Sequence, residues 1–553
     1  MGARGHDAKD ERLLVESRAR GFWPHTLAMA KLSGPGWLQS AITLGGGSLA
    51  SALYLGSLAG YGLLWVQVVA MLLGIVILKA VAEVTLLTGI GPYRAMVDRV
   101  NPVLGIAFIG AVLLANVVWC MPQFVLGVSA LEQLLLPEWE GLTFRVLASI
   151  AMLVLAVLSI ALYMRGDRGI RWYENILRLL VGVIVVCFVG VVVSLRQHLP
   201  WDAIGRGFVP SLELWLRPAE VYVPYLLGTG NEAFWTAHIL NEQRSVLIAA
   251  AATAVGINMT FLLPYSMLRK GWNRNYRSLV TFDLCTALLI PFVLATGCVV
   301  VAAAASFHGR PVSALAESPV AVDSKEGRAY VQLLRTCSRR SADPAFRLAS
   351  EMANDSDFLN RVPHKDRVMA AMLVRRSTAD LSRSLEPFVG RKFSRLVFGV
   401  GVLAMALSTA MILMLISGFA VCEVFRAPLG GRVQFLGSLL PAVGVLGPFV
   451  WSGASFWLAV PTSIFGMVLL PIAAWSFLLM LNSRRLLQTD LPSGRRRWAW
   501  NLVLGGSALI LSPASLYSAW VQGGPYALGL AALLILAAVA SHVMMSRGRG
   551  GSA

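Results

Sequence analysis

Long apolar segments alternate with short polar ones along most of the chain, and each is about as long as a membrane-spanning helix. A helix needs about 20 apolar residues to cross the hydrocarbon core of a bilayer. The pattern predicts an all-α, polytopic membrane protein with twelve spans, at 34–55, 62–88, 102–128, 144–164, 172–195, 246–268, 278–305, 395–420, 434–453, 455–481, 497–518 and 524–545.

The composition supports this prediction and excludes other classes of protein. Of the 553 residues, 57% are hydrophobic and 14% are charged, whereas soluble domains carry about 25% charged residues. The net charge of +18 is not arranged as a basic stripe with interleaved aromatic residues, so no nucleic-acid partner is expected. No nucleophile–base pair, phosphate loop or redox motif is present, so neither enzymatic activity nor a cofactor is expected. The expected partners are the lipid bilayer and a small inorganic ion or solute.

The charge of the loops predicts the orientation. The loops 165–171, 269–277 and 482–498 are basic, and basic loops stay in the cytoplasm. We therefore expect both termini to be cytoplasmic, in a bacterial inner membrane. The segment 221–240 is also apolar but contains proline, asparagine, glutamate and histidine, and counting it as a span would reverse every later loop. It is predicted to lie on the outer surface or to re-enter the membrane, within an outer loop at 196–245.

A polar stretch at 306–394 separates the spans into two groups. It is too long for a simple connection, and its helical patches predict a small helical insertion on the extracytoplasmic side. The predicted organisation is an N-terminal segment at 1–33, spans 1 to 7 at 34–305, the insertion, spans 8 to 12 at 395–545 and a tail at 546–553.

Two predicted spans contain residues that interrupt helices. The sequence "SAITLGGGSLAS" at 40–51 places three glycines in the middle of span 1, where each costs roughly 1 kcal/mol relative to alanine. Span 6 carries Gly256, Asn258 and Pro264 in its interior. Transporters built from inverted repeats have broken helices at corresponding positions, and with five spans per repeat span 1 corresponds to span 6. Close packing between helices is the alternative reason for such glycines.

Residues 34–65, "GPGWLQSAITLGGGSLASALYLGSLAGYGLLW", resemble the first two spans of the Nramp family of divalent metal transporters. The family's Gly-Pro-Gly opening and its Gly-Ser, Gly-Tyr and Leu-Leu-Trp pattern are present. In "GINMTFLLPYSML", Met259 falls on the methionine of the family's Met-Pro-His motif, and residues 406–419 resemble the eighth span. The resemblance implies a LeuT-type fold, with two inverted five-helix repeats plus two C-terminal helices. It also implies secondary transport of divalent metal ions by alternating access at broken helices 1 and 6.

The sequence departs from the family at the metal ligands. The family's Asp-Pro-Gly-Asn motif falls on Gly45, Gly46, Gly47 and Ser48, and the residues after the methionine are Thr260 and Phe261. Met259 is the retained side-chain ligand, and Ser48 supplies a weak oxygen donor. Because a dehydrated dication wants carboxylate or imidazole, family-type coordination is not expected. A LeuT-fold carrier of a small neutral or zwitterionic solute, or a non-transporting receptor or scaffold, therefore stays an alternative.

The broken segments define the candidate substrate site. Its predicted residues are Thr43, Gly45, Gly46, Gly47, Ser48, Gly256, Asn258, Met259 and Thr260. Four other polar residues within spans are candidates for gating or coupling: Lys79, Glu83, Asn116 and Gln123. Lys79 and Glu83 lie four residues apart on one helix face and are expected to pair, either as a structural pair or as a gate. Asn116 and Gln123 are expected to line the path or to form hydrogen bonds between helices.

Overall fold

The computed structural model describes residues 3–139, 141–312, 315, 325–341, 343–344, 346–348, 355–450 and 459–547. Within these ranges the chain folds into helices, with no β-strand. Ten helices are long and apolar enough to cross a membrane, and a bent pair, Pro35–Thr43 and Gly46–Ala59, forms an eleventh span with an angle of 54°. The prediction of an all-α membrane protein is confirmed.

The spans are numbered in chain order. Span 1 consists of half-helices 1a (Pro35–Thr43) and 1b (Gly46–Ala59), and span 6 of half-helices 6a (Glu232–Ala254) and 6b (Ile257–Arg269). Six other spans are single helices: span 2 at Leu64–Thr88, span 3 at Pro102–Ala130, span 4 at Leu142–Tyr163, span 5 at Asp167–Leu195, span 8 at Arg391–Val424 and span 10 at Ala459–Leu481. Span 7 consists of three consecutive segments, Arg277–Asp283, Leu284–Leu289 and Ile290–Phe307. Span 9 also consists of three segments, Arg432–Ser438, Leu440–Leu446 and Gly447–Val450.

The last two predicted spans form one helical stretch, Gly494–Arg547, which is broken at Gly524 (φ 57°, ψ −148°). A straight helix of 54 residues would be about 80 Å long at 1.5 Å per residue, more than twice the thickness of the hydrocarbon core. The second arm returns to the start of span 3, where Asn101 Nδ2 donates to the Ala538 carbonyl over 2.9 Å. The break therefore divides the stretch into two arms, spans 11 and 12.

Half-helix 6a begins earlier than the sequence predicts. Residues 232–245 were expected in the outer loop, but they continue the helix of span 6. This extension is stabilised by the insertion, because Trp235 Nε1 and Asn231 Nδ2 donate to the carboxylate of Asp366 at 2.5 and 3.1 Å. The described part of the insertion contains helices at Lys325–Arg339, Asp355–Arg361, His364–Leu373 and Thr378–Val389. Its extracytoplasmic placement stays a prediction.

Spans 1 and 6 lie in the centre of the bundle. Half-helix 1b packs against span 7 and 6a, and span 8 packs against span 3 and 1a. One glycine of span 1 does serve close packing, because a Cβ on Gly56 would lie 2.3 Å from the Val300 carbonyl of span 7. Two glycines at the break are also close to neighbouring spans, because a Cβ on Gly45 would lie 2.6 Å from Thr409 Oγ1 and a Cβ on Gly46 2.9 Å from Leu126 Cδ2.

Candidate functional site

The break in span 1 frees backbone groups that side chains of other spans then satisfy. Half-helix 1a ends at Thr43, and Gly45 is extended (φ −114°, ψ −175°) before 1b begins. The carbonyl of Ala41, in the last turn of 1a, accepts the hydroxyls of Ser408 and Thr409 of span 8, each at 3.2 Å. Such partners are required because no water is available in the hydrocarbon core to bind exposed backbone groups.

The first amide of half-helix 1b is capped in the same way. The N–H of Gly46 donates to Gln123 Oε1 of span 3 at 2.9 Å, which neutralises a donor that helix starts leave free. Ser48 Oγ donates to the Gly45 carbonyl at 2.8 Å, so its proton is used within the break.

The break in span 6 is built from two extended residues, Val255 and Gly256. Gly256 is required there, because a Cβ would lie 2.4 Å from the Trp119 ring of span 3. The N–H of Met259 donates to Asn258 Oδ1 at 2.9 Å and to the Gly256 carbonyl at 3.1 Å. The N–H of Gly256 points at the sulfur of Met259 at 3.4 Å. The amide of Met259, in the first turn of 6b, is therefore also capped.

The two breaks face each other across a cavity of about 50 Å³. Thr43 of 1a and Met259 of 6b join them directly, with the Thr43 hydroxyl 3.1 Å from the sulfur. The cavity is lined by Ile42, Thr43, Gly45, Gly47, Ser48, Trp119, Pro122, Gln123, Ala252, Thr253, Gly256, Asn258, Met259, Thr409, Thr462 and Ser463. Residues from spans 1, 3, 6, 8 and 10 therefore meet in the centre of the bundle.

Most of the predicted site residues lie on this cavity, but Gly46 and Thr260 do not line it. Gly46 faces span 3, where a Cβ would lie 2.9 Å from Leu126 Cδ2. Thr260 is fully buried, and its hydroxyl donates to the Ile257 carbonyl at 2.5 Å within 6b. Gly46 and Thr260 each follow a cavity-lining residue in sequence, but successive residues of a helix point in different directions. Both residues therefore face neighbouring helices and not the cavity.

Four hydroxyl residues of the cavity lie outside the predicted set. They are Thr253 of 6a, Thr409 of span 8 and the pair Thr462 and Ser463 of span 10. A serine or threonine within an apolar span is a sequence signal for a cavity residue. The same residue types also donate to carbonyls of their own helix, as Ser417 does to the Leu413 carbonyl. The pattern alone does not separate the two uses.

The gating candidates divide into two groups. Gln123 lines the cavity, and Asn116 lies one layer behind it, where its Oδ1 accepts from Asn258 Nδ2 at 3.3 Å. The predicted Lys79–Glu83 pair is wrong. Glu83 is 5% exposed and pairs with Arg277 of span 7 at 2.7 Å and with Arg496 of span 11. Lys79 is exposed. The cations that pair with Glu83 come from other spans and not from the residue four positions earlier on the same helix.

A second ionic cluster holds the start of half-helix 1a. The carboxylate of Asp283, on span 7, accepts the N–H of Gly36 at 2.6 Å and the hydroxyl of Ser33. Arg178 Nη2 donates to the Ser33 carbonyl at 2.6 Å. We call the side of the helix bundle on which Ser33 and Asp283 lie the N-terminal face. Half-helix 1a is therefore fixed at this face.

Charges also connect the insertion to half-helices 1b and 6a. Glu242 of 6a accepts the hydroxyl of Tyr54 of 1b at 2.5 Å and lies 3.4 Å from Arg375 of the insertion. Asp366, also in the insertion, is buried, and this burial raises the pKa of its carboxyl, although the bonds from Trp235 and Asn231 oppose the shift. The insertion is thus tied to both half-helices that bound the cavity on its side.

The described lining of the cavity carries no formal charge, because it contains no aspartate, glutamate, histidine, lysine or arginine. Among the residues that the structure describes, no cluster of three or more His, Cys, Asp or Glu side chains could hold a metal ion. The polar groups available are hydroxyl and amide oxygens, the sulfur of Met259 and the backbone where 1a and 6a end. A ligand here would be bound by neutral dipoles.

Comparisons with known proteins agree with the fold. The fold resembles that of a manganese transporter from Eremococcus coleocola, solved in complex with an aromatic bis-isothiourea substituted compound. The two chains are 15% identical and superpose with a TM-score of 0.60 over 95% of each chain. A histidine-to-alanine mutant of that transporter is 16% identical, with a TM-score of 0.54 and the same coverage. At these identities the likeness shows the fold alone.

The sequence comparisons give the family. A curated relative, the divalent metal cation transporter MntH of Agrobacterium fabrum, is 27% identical over 194 residues, which is 34% of this chain. The match spans 39% of that relative's length. The family model described as natural resistance-associated macrophage protein-like matches residues 36–329 and 367–520, most of the chain. The protein is an integral membrane protein that belongs to the Nramp family.

Proposed function

We propose that the chain is a secondary transporter of divalent metal ions, rather than an enzyme. Alternating access around broken spans 1 and 6 would move the ion. The family supports this proposal, as do the divalent metal cation transport and manganese transport for which its relatives are named. We further propose a bacterial inner membrane with the N-terminal face in the cytoplasm, because the basic loops 165–171 and 269–277 suit that side.

The observation that carries the proposal is the meeting of two helix C-termini at the cavity. Ile42 and Thr43 end half-helix 1a, and Ala252 and Thr253 lie in the last turn of 6a. Each helix C-terminus is equivalent to roughly half a negative charge. Half-helix C-termini and unwound carbonyls are the groups that bind cations in transporters of this architecture.

The opposing positive ends are weakened by side-chain caps. The amide of Gly46 at the start of 1b is bound by Gln123, and the amide of Met259 in the first turn of 6b by Asn258. A capped amide no longer directs its dipole at a ligand. The Ala41 and Ala250 carbonyls near the ends of 1a and 6a also accept side-chain hydroxyls. The support for a cation is therefore the position of the two helix C-termini at the cavity, each equivalent to roughly half a negative charge.

The absence of a carboxylate from the cavity restricts the ion. A fully dehydrated dication in a site without a formal negative ligand would keep an uncompensated buried charge. Hard ions prefer oxygen ligands, and Mg²⁺ in particular keeps several waters when it binds. We therefore propose a hard divalent ion that enters with part of its hydration shell, and the oxygens of Thr43, Gln123 and Asn258 as partners of its waters.

Uptake into liposomes containing the purified protein tests the proposal. We expect saturable uptake of Mg²⁺, measured with a trapped magnesium-sensitive dye, and weak or undetectable uptake of Mn²⁺. Gly256→Val should abolish uptake, because its Cβ would lie 2.4 Å from the Trp119 ring. Gly190→Val is the matched control, since nothing lies within 4 Å of a Cβ at Gly190. Transport of neutral amino acids without any divalent ion would contradict the proposal.

A further inference from the structure

The space beside Gly45 is filled by a side chain of another span. A Cβ built on Gly45 would lie 2.6 Å from Thr409 Oγ1 and 3.1 Å from Thr409 Cγ2. A Cβ carbon in a folded protein does not approach a hydroxyl oxygen so closely, so no side chain fits at position 45 while Thr409 keeps its place. Thr409 therefore occupies the volume that a larger residue in the break of span 1 would need.

The geometry of Thr409 leaves its oxygen available to a ligand. Thr409 lines the cavity with 4% of its surface exposed, and its hydroxyl proton is directed at the Ala41 carbonyl at 3.2 Å. A hydroxyl has one donor and two acceptor lone pairs. Because its proton is used on the backbone, Thr409 Oγ1 can present its lone pairs to the cavity as an acceptor only. Such an oxygen suits a cation or the donor side of a metal-bound water.

We propose that Thr409 is a substrate-contacting residue that sets the specificity of the site. It supplies a neutral oxygen from span 8 next to the position where span 1 has only Gly45. The inference rests on the proposed function, and it predicts that the substrate is a hydrated, hard divalent ion because a single hydroxyl does not compensate the loss of a full hydration shell. Thr409 and Gly45 would then act as one unit, in which the small residue makes room for the ligand oxygen.

The neighbouring residue provides a matched control. The Ser408 hydroxyl also reaches the Ala41 carbonyl at 3.2 Å and shares its proton with the Met405 carbonyl of span 8 at 3.2 Å. Ser408 is fully buried and does not line the cavity. Ser408→Ala and Thr409→Val each remove one hydroxyl from the same carbonyl, and Thr409→Val keeps the shape of the side chain. A structural role alone predicts equal effects of the two variants.

Transport kinetics separate the two roles. We expect Thr409→Val to raise the KM for Mg²⁺ about tenfold, the effect of losing one charge-assisted oxygen contact, and Ser408→Ala to leave KM near the wild-type value. Both variants should show similar shifts in Tm. Equal KM values for the two variants would overturn the inference, whereas a wild-type protein that moves no divalent ion would refute the proposed function itself.

A double-variant experiment tests the shared space without any transport. Gly45→Asp alone should lower Tm, because its Cβ would meet the Thr409 hydroxyl. Adding Thr409→Ala removes the two clashing atoms and should restore much of the loss, so the effects on Tm should be non-additive. In a cysteine-free background, Thr409→Cys should react with a small thiol reagent and Ser408→Cys should not. Additive Tm changes, or no labelling at 409, would show that Thr409 does not occupy this space.

Discussion

The start of half-helix 1a offers a direct test of how span 1 is held at the N-terminal face. The Asp283 carboxylate is 1% exposed and accepts one hydrogen bond from the Ser33 hydroxyl and one from the Gly36 amide. We expect Ser33→Ala to loosen 1a, because the carboxylate stays buried but loses one of its two donors. The bond from Arg178 to the Ser33 carbonyl involves the backbone and should survive.

The magnitude follows from the kind of bond that is lost. A hydrogen bond to a charged group contributes about 1.5–3 kcal/mol, and about 1.4 kcal/mol changes an equilibrium constant tenfold. Ser33→Ala should therefore raise the population of states in which 1a has separated from Asp283 by about 10- to 150-fold. Since Gly36 and Arg178 keep their bonds, we expect a value in the lower part of this range.

Hydrogen exchange measured by mass spectrometry on peptides that cover Pro35–Thr43 reports this opening, because amide exchange follows the free energy of local unfolding. Ser57→Ala is the control, since the Ser57 hydroxyl donates at 2.8 Å to the Leu53 carbonyl within 1b and leaves 1a untouched. Exchange in 1a should accelerate in Ser33→Ala alone. Equal exchange of 1a in the two variants would refute the role assigned to Asp283.

Other regions of the chain give separate tests. Gly46→Leu should lower Tm in detergent and abolish uptake, because a Cβ there lies 2.9 Å from Leu126 Cδ2 and overpacking costs about 1–3 kcal/mol; normal Tm with full uptake would contradict this. Burial lowers the pKa of His308 below its ordinary 6.5, so the folded state prefers the neutral ring and stability should fall as pH drops below about 6.5. His308→Leu should remove this part of the Tm profile. A pH gradient should not drive ion uptake, because no titratable side chain lines the cavity; proton-driven uptake would show that a coupling group was missed. Cysteines placed at 269–277 should resist an impermeant thiol reagent applied outside; their labelling would reverse the proposed orientation.

The sequence predicted the places where helices break, because the cause is local. Three glycines at 45–47 and one at 256 disfavour a helix wherever they occur, and both breaks lie where the pattern placed them. The residues beside a break are close to it along the chain, so most of the cavity lining from spans 1 and 6 followed. Their role in binding substrate stays a prediction, which the variants above address.

The residues that the other spans bring to the cavity and to the ion pairs could not be predicted, because they depend on contacts between helices that are distant in sequence. The spacing of four residues paired Glu83 with Lys79, but Arg277 and Arg496 come from spans about 190 and 410 positions later. Thr409 shows the same limit, since only the packing of span 8 on 1a brings its hydroxyl to Ala41. Helical periodicity identifies which residues share a face but not which span that face meets.

The neutral cavity and the broken helices together explain how a cation could be bound weakly enough to be released. A carboxylate in the break would bind a dehydrated ion strongly and would also take up a proton, which couples the two. At Gly45 the chain has neither possibility, and in the proposed mechanism the cation is stabilised by the carbonyl ends of 1a and 6a and by oxygens such as that of Thr409. Dipoles of this kind compensate only part of the cost of dehydration. We therefore expect the site to favour the ion that holds its inner water shell most strongly, because this ion keeps its waters on binding. In this proposal the ion is selected by its hydration and not by direct coordination.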